Sequence, residues 1–432
     1  MISPSGAADP PRTALAEAES TAAAVDPVAA VVAAAPASGP AEAPVSDSAD
    51  SGGPLRIVIA PDSFKGSVSA TEAAAALARG WRAARPDDVV LTVPIADGGE
   101  GTLDVFAAAA PQAVRNNVDV TGPDGRRVTA SWLALPDGTA LVELAQASGL
   151  PLMAAPDPLG AHTVGLGETI AAALDAGSRR ILVALGGSAS TDGGTGLLTA
   201  LGARFLDTTG RPLPPGGGNL LSLATVDLTG LRTLPPDGVR CLVDVDAPLL
   251  GPTGAAAVFG PQKGAGGAEI ARLDAGLARL AERMEHAGAP AGLTVLPGAG
   301  AAGGTAYGLA AALRAALVPG AATIADQAGL PAALADADLL ITGEGRFDQT
   351  SLAGKVVGAV SVLAARVGLP VAVVAGQVTA DPPAGGDALA LADLAGGTSA
   401  AMAHPAHWLE RAGTLLARRK SDGLARATSR QP

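Results

Sequence analysis

The sequence predicts an α/β fold, a doubly wound five-stranded parallel domain interrupted by a second α/β domain. Three observations predict it. Buried-strand runs near the start, Arg56–Ala60 and Val89–Ile95, each lead through a polar turn into a helical pattern. The same alternation returns near the end, at Ala337–Thr342, Val371–Ala375 and Leu389–Leu394. Between the two blocks the pattern changes to short strands joined by tight turns. Strand–turn–helix alternation is the mark of a parallel sheet, and such sheets hold ligands at the carboxyl ends of their strands.

In chain order, residues 1–54 are Ala, Pro, Ser and acidic residues without periodicity, and a disordered tail is expected there. Val28–Ala35 resembles the apolar core of a signal peptide. Glu17, Glu19 and Asp26 stand where a basic region belongs, so secretion is rejected. Ser69 precedes a helical run with Glu72 at its third position, a capping box, and Pro86 ends that run. The second strand ends in Ala96-Asp97-Gly98-Gly99-Glu100-Gly101-Thr102, followed by a helix to Ala110. Val118–Val120, Val128–Leu135 and Ala140–Glu143 read as short strands. Their turns are Gly122-Pro123-Asp124-Gly125 and Pro136-Asp137-Gly138. A last helix is expected over Gly354–Val367. The interrupted domain is therefore expected at 55–131 and 336–420, the inserted domain at 132–335, and a flexible end at 421–432.

Composition narrows the function. A net charge of −12 argues against nucleic-acid binding. No apolar run reaches the ~18–20 residues of a membrane-spanning helix. The single cysteine, Cys241, allows no intramolecular disulfide and fits a reducing cytoplasm; it is expected as a small hydrophobe in a strand. Oligomeric state is not legible.

The chemistry concentrates after strands. Gly186-Gly187-Ser188-Ala189-Ser190-Thr191-Asp192-Gly193-Gly194 follows the strand pattern Ile181–Leu185 and combines glycines, hydroxyls and one carboxylate. Consecutive backbone amides in such a loop form an anion nest. Asp62, Asp97, Glu100, Asp192, Asp244, Asp246, Glu344 and Asp348 all stand near predicted strand ends, and Lys65, Lys263, Arg346 and Lys355 lie beside glycine-rich segments. Phosphoryl transfer needs this mixture of fixed donors, cations and carboxylates. No G-x-x-x-x-G-K-[ST] is present. Gly298-Ala299-Gly300-Ala301-Ala302-Gly303 fits G-x-G-x-x-G, with only a short possible strand, Leu293–Leu296, before it. His162, His286, His404 and His407 lack zinc-ligand spacing, and Ser188 and Ser190 lack a nucleophile elbow.

Taken together, the motifs resemble those of bacterial glycerate kinases of the glycerate 2-kinase type, from Arg56 to about residue 415. They are IAPDSFKGS (Ile59–Ser67), PIADGGEGT (Pro94–Thr102), GGSASTDGG (Gly186–Gly194), GARFLD (Gly202–Asp207), VDVDAPLLGPTGAAAVFGPQKGA (Val243–Ala265), PGAGAAGG (Pro297–Gly304) and ITGEGRFDQTSLAGK (Ile341–Lys355). The resemblance implies ATP- and Mg²⁺-dependent phosphorylation of D-glycerate, with 2-phosphoglycerate favoured over 3-phosphoglycerate. It also implies a Rossmann-like, flavodoxin-type domain with the site in an interdomain cleft. Two amides usual in the family are replaced here, by Thr191 and Ala247.

On that basis Asp192 is expected to orient the glycerate hydroxyl and take its proton, and Lys65 to neutralise the transferring phosphate. Arg346, with Ser188, Asp62 and Ser63, is expected to bind glycerate, Arg346 pairing bidentately with its carboxylate. Gly186, Gly187, Gly193, Gly194, Lys355 and Glu344 are expected at the nucleotide phosphates, and Asp97, Asp244 and Asp246 at Mg²⁺. A nicotinamide-dependent oxidoreductase and a non-catalytic glycerate-binding relative remain as alternatives.

Overall fold

The computed structural model describes residues 53–352, 355–383 and 385–428. The tail expected at 1–54 lies outside them, except for its last two residues. The strands are β1 (Arg56–Ile59), β2 (Val89–Thr92), β3 (Val114–Thr121), β4 (Arg127–Ala134), β5 (Thr139–Glu143), β6 (Arg180–Ala184), β7 (Arg204–Leu206), β8 (Thr225–Asp227), β9 (Val239–Val243), β10 (Ala316–Pro319), β11 (Leu339–Phe347), β12 (Val371–Val378) and β13 (Asp387–Ala390).

The expected five-stranded sheet forms in the order β13-β12-β11-β1-β2, every pairing parallel. Numbered within that sheet alone, this is the flavodoxin-like order 2-1-3-4-5, whose switch point falls between β1 and β11. A six-stranded sheet runs β10-β9-β6-β5-β4-β3. Its β3, β4 and β5 are antiparallel and its remaining pairs parallel. Residue 131, the expected edge of the insertion, falls inside β4, which pairs with β3 and β5, so the chain enters the second sheet at Val114. The described residues cluster as one compact unit.

Strand alternation sends successive side chains to opposite faces and so builds separate cores. On the outer face of the first sheet, Ile57, Ile59, Leu339 and Ile341 pack with Leu77 and Trp81 of the helix Ala70–Ala84 and with Leu409 and Leu416 of the helix Pro405–Thr428. On its inner face, Val58, Leu340 and Val373 share one core with Leu133, Leu141, Leu182 and Leu242 of the second sheet. The helices Thr102–Ala109, Gly320–Gln327 and Val356–Arg366 fill the space between. The far face of the second sheet, including buried Cys241 in β9, packs on Val164–Asp175, Gly267–His286 and Ala301–Leu313. The result is five layers, with the middle helices serving both sheets.

The Ser69–Glu72 capping box forms as expected, Ser69 Oγ accepting from Glu72 N at 3.2 Å and Glu72 accepting from Ser69 N at 3.1 Å. Three strands run longer than expected: β3 begins at Val114, and β11 and β12 stay paired through Arg346↔Gln377 and Phe347↔Val378. Two stop short: β2 ends at Thr92, and β13 ends at Ala390, where Leu391–Leu394, expected as strand, lies in the helix Leu391–Ala395. Leu-Ala-Asp-Leu-Ala is rich in helix formers, Asp393 lies in the first turn, and Gly396 closes it at φ +75°. The helix Pro405–Thr428 also continues past residue 421, where a flexible end was expected.

Candidate active site

The chain keeps beside β11 after leaving β1, because Asp62 N donates to Gly343 O at 2.8 Å. It then reverses through Phe64–Val68, where Phe64 N donates to Val68 O at 2.9 Å. Gly66 supplies the left-handed residue of that turn, φ +77°, and faces open space. Lys65 therefore sits at the turn, with its ammonium 3.3 Å from Asp97 Oδ2 and a side chain 74% exposed. Asp97 is held in turn by the amide of Gly99 at 2.9 Å. The Asp97 charge beside it raises the Lys65 pKa over the opposing effect of burial.

Asp62 is buried at the switch point, with Ser63 N donating to Oδ1 at 2.6 Å. Burial and then Asp97 push its carboxyl up to about 8, against the pull of the Ser63 amide and Lys65. Glu344 and Arg346 stand two apart on β11, on one face of the strand. Glu344 is raised by burial, and its buried Oε1 has no hydrogen-bond partner among the described residues. The Arg346 side chain is 63% exposed, and its Nε lies 3.5 Å from Asp348 Oδ2. Lys355 immediately precedes the helix Val356–Arg366. Asp62, Ser63, Lys65, Asp97, Glu344, Arg346 and Lys355 line one cleft of about 370 Å³ at the carboxyl ends of β1, β2, β11 and β12.

The Gly186–Gly194 loop lies outside that lining. Its amides are already engaged: Gly186 N donates to Gly98 O at 3.1 Å, Gly193 N to Gly303 O at 3.1 Å, and Gly194 N to Asp192 Oδ1 at 3.1 Å. Gly187 lies against Ala145, and its carbonyl accepts from Leu150 N at 2.9 Å. Gly193 combines φ +62° with a Cβ position 2.3 Å from Leu280 Cδ2. These glycines allow close packing, which corrects their expected part as an anion cradle. Asp192 is likewise not open to a substrate. It is fully buried and accepts from Thr163 N (3.0 Å), Thr163 Oγ1 (2.8 Å), Gly194 N (3.1 Å) and Gly196 N (3.2 Å). Its carboxylate ties the loop and the helix Thr195–Ala200 to Thr163. Ser188 is buried and bonds within the loop, accepting from Ser190 N at 3.2 Å.

The carboxylates after β9 have separate fates. Asp244 caps the helix Gly320–Gln327, accepting from Gly320 N at 2.7 Å and Ala321 N at 2.8 Å. Burial, with the Asp97 charge adding to it, pushes its carboxyl up to about 7. Asp246 is exposed and lines no part of the cleft.

Known proteins resemble this chain over most of its length. The glycerate kinase family model matches residues 57–420. The chain belongs to the glycerate kinase family. It is 44% identical over 331 residues to a protein named glycerate 2-kinase from Escherichia coli K12, covering 76% of this chain and 86% of that one. It is 43% identical over 333 residues to the glycerate kinase of Bacillus subtilis 168, with the same shares covered. A crystal structure described as "putative glycerate kinase 2" from Salmonella typhimurium LT2 superposes with a TM-score of 0.73 at 40% identity, covering 86% of this chain and 99% of that one. As a glycerate kinase family member, the chain is a phosphotransferase. No helix among the described residues is long and apolar enough to cross a membrane.

The G-x-G-x-x-G match has a structural explanation in this family member. A single 3₁₀ turn, Leu293–Val295, precedes it in place of a strand. An added Cβ on Gly303 would lie 2.1 Å from Ser190 O, so this glycine permits backbone contact with the Ser190 loop. The strand–glycine loop–helix unit of a dinucleotide site is missing here, which removes the motif as support for an oxidoreductase.

Among the described residues no three His, Cys, Asp or Glu side chains converge tightly enough to hold a metal by themselves. Magnesium does not require such a cage, since one or two carboxylates and phosphate oxygens suffice. The cleft carboxylates and the unpartnered Glu344 Oε1 fit a hard cation of that kind.

Sequence reasoning missed three placements. Glu143, at the end of β5, is buried and caps the helix Thr102–Ala109 through Gly101 N (3.2 Å) and Leu103 N (3.0 Å). Its position after a strand was a usable signal. Lys263 is fully buried, donates to Ser190 O, and is lowered to about 7 by burial against the pull of Asp192. Gln377 and Thr398 join the cleft through the longer β12 and the helix Thr398–Ala403; nothing in their local sequence marks them.

Proposed function

We propose that this chain transfers the γ-phosphate of ATP to the 2-hydroxyl of D-glycerate in the cleft formed by the ends of β1, β2, β11 and β12. The observation that carries the reading is the convergence there of Lys65, Arg346 and Lys355 with Asp62, Asp97 and Glu344. The names of the relatives support glycerate as acceptor and the 2-position as product. Kinase catalysis of this type rests on positioning and on charge opposite the phosphoryl oxygens.

In this reading Lys65, held by Asp97, faces the transferring phosphate, and Lys355 faces the rest of the phosphate chain. Arg346 pairs with the glycerate carboxylate, for which a planar guanidinium is suited. Asp62 takes the hydroxyl proton, since it is a buried cleft carboxylate whose one bonded oxygen is held by the Ser63 amide. Asp97 and Glu344 would hold Mg²⁺, which supplies positive charge to the phosphate oxygens when bound. Asp192 supports the second sheet's loop from within. A cytoplasmic setting is part of this reading, supported by the single cysteine, Cys241, which is free and buried.

Incubation with ATP, Mg²⁺ and D-glycerate, followed by ³¹P and ¹H NMR of the product, tests the reading. Accumulation of 2-phosphoglycerate with matching ADP is expected. 3-Phosphoglycerate would overturn the position of transfer, and no phosphorylated product would overturn the kinase reading.

A further inference from the structure

The lining of the 370 Å³ cleft changes character along the sheet. From β2 toward β13 it passes from Asp97 and Lys65 through Glu344 and Arg346 to Gln377, and then to Leu391, Ala401, Met402 and Pro405. The last four come from the segment after β13 and provide no charge. Three strand spacings separate β1 from β13, roughly 14 Å. An extended nucleoside triphosphate spans a distance of that order between its base and its terminal phosphate. Binding clefts of a few hundred cubic ångströms commonly pair an apolar wall with a few fixed polar groups.

We propose that this apolar end receives the adenine ring of the phosphate donor, with Met402 against its face and Gln377 at its amino edge. The proposal rests on the ATP reading above. Met402 is 55% exposed, a large apolar side chain left facing the cleft. A flexible thioether makes favourable contacts with aromatic rings. Gln377 Nε2 donates to Thr398 Oγ1 at 2.9 Å. That bond uses one of the two Nε2 hydrogens and orients the amide, leaving the Gln377 carbonyl oxygen as an acceptor. An exocyclic amino group satisfies that acceptor, and a carbonyl at the same position repels it. The Gln377–Thr398 pair therefore sets a preference for adenine over guanine. The alternative wall of the Lys65 loop is lined by Glu72, Glu100 and Asp104, a poor surface for a polyanion.

The test is equilibrium binding of the non-hydrolysable analogue AMP-PNP by calorimetry, with inorganic tripolyphosphate as a base-free control. Met402→Glu is expected to weaken AMP-PNP by roughly tenfold or more, since it sets a carboxylate against the ring. Tripolyphosphate affinity should stay as in the wild type. Thr398→Ala, a mild surface change, is expected to narrow the preference for AMP-PNP over GMP-PNP by freeing the Gln377 amide to turn. Unchanged AMP-PNP affinity in folded Met402→Glu, or equal weakening of both ligands, overturns the subsite. If the wild type phosphorylates D-glycerate while Met402→Glu retains full nucleotide affinity, the subsite falls and the kinase reading stands. If the wild type binds AMP-PNP through Met402 and phosphorylates nothing, the kinase reading falls and the subsite stands.

Discussion

Two loops in this molecule share a recipe and differ in use. Both follow a parallel strand, both contain glycine and hydroxyls, and both carry a buried aspartate. The Asp62–Ser67 turn after β1 leaves its groups unspent: a raised carboxyl, an ammonium reaching into a cleft, and beside them a Glu344 oxygen without a partner. In the Gly186–Gly194 loop after β6 the Asp192 carboxylate collects four donors, and five of the loop's amides are engaged within the protein. Composition alone does not separate a ligand loop from a packing loop. The separation comes from which polar groups the rest of the chain has already satisfied.

The comparison is open to direct attack. Asp192→Ala should produce the largest loss of stability, about 3–5 kcal/mol, since it leaves several buried donors unpaired. Urea unfolding measures it, and activity per folded molecule should remain within a few-fold of wild type. A catalytic loss in a fully stable Asp192→Ala would put Asp192 back among the reacting groups. Lys65→Met should do the reverse. Its side chain is exposed, so the melting temperature should hold, while kcat/KM falls roughly 10²–10³-fold, the scale of a lost charge partner for a transition state.

A pH series sharpens the same contrast. The folded pKa of Asp62, about 8, lies above the unfolded value near 3.9. The folded state thus keeps a proton that the unfolded chain releases, so this contribution to stability is complete below pH ~4 and lost as pH rises through ~8. In Mg²⁺-free buffer, the melting temperature of wild type should fall relative to Asp62→Asn between pH ~5 and ~9. Parallel curves would show that Asp62 does not titrate in this way. The smallest effects belong to the glycines. Gly193→Ala, with its Cβ against Leu280, should cost about 2–4 kcal/mol, whereas Gly66→Ala, in open space, should cost only the left-handed penalty of about 1–2 kcal/mol.

The layered fold was largely legible, because continuous apolar strand runs such as Arg56–Ile59 and the Ser69–Glu72 cap act locally. Glu344 and Arg346 were legible as candidates by their charge and place beside glycine. Their position on a strand was not, since the extension of β11 depends on β12 continuing beside it. Asp192 misleads for a related reason. Its partners, Thr163 and the amides of Gly194 and Gly196, include one 29 residues away that no local pattern pairs with it. Gln377 and Thr398 became visible only once the chain after β13 folded back across the sheet end.

The course of the chain through the two sheets also dictates an order of assembly on the ribosome. The second sheet uses a continuous stretch, from Val114 to Pro319, and can close as soon as that stretch has emerged. β1 instead meets its partner through contacts such as Thr342 Oγ1 to Ala60 O, across 282 residues of sequence. At synthesis rates of about 5–20 residues per second, the open edge of β1 waits roughly 15–55 s for β11. Throughout that interval a strand of Ile57, Val58 and Ile59 has unpaired backbone along one side, which makes this edge the point where a nascent chain most needs protection from association.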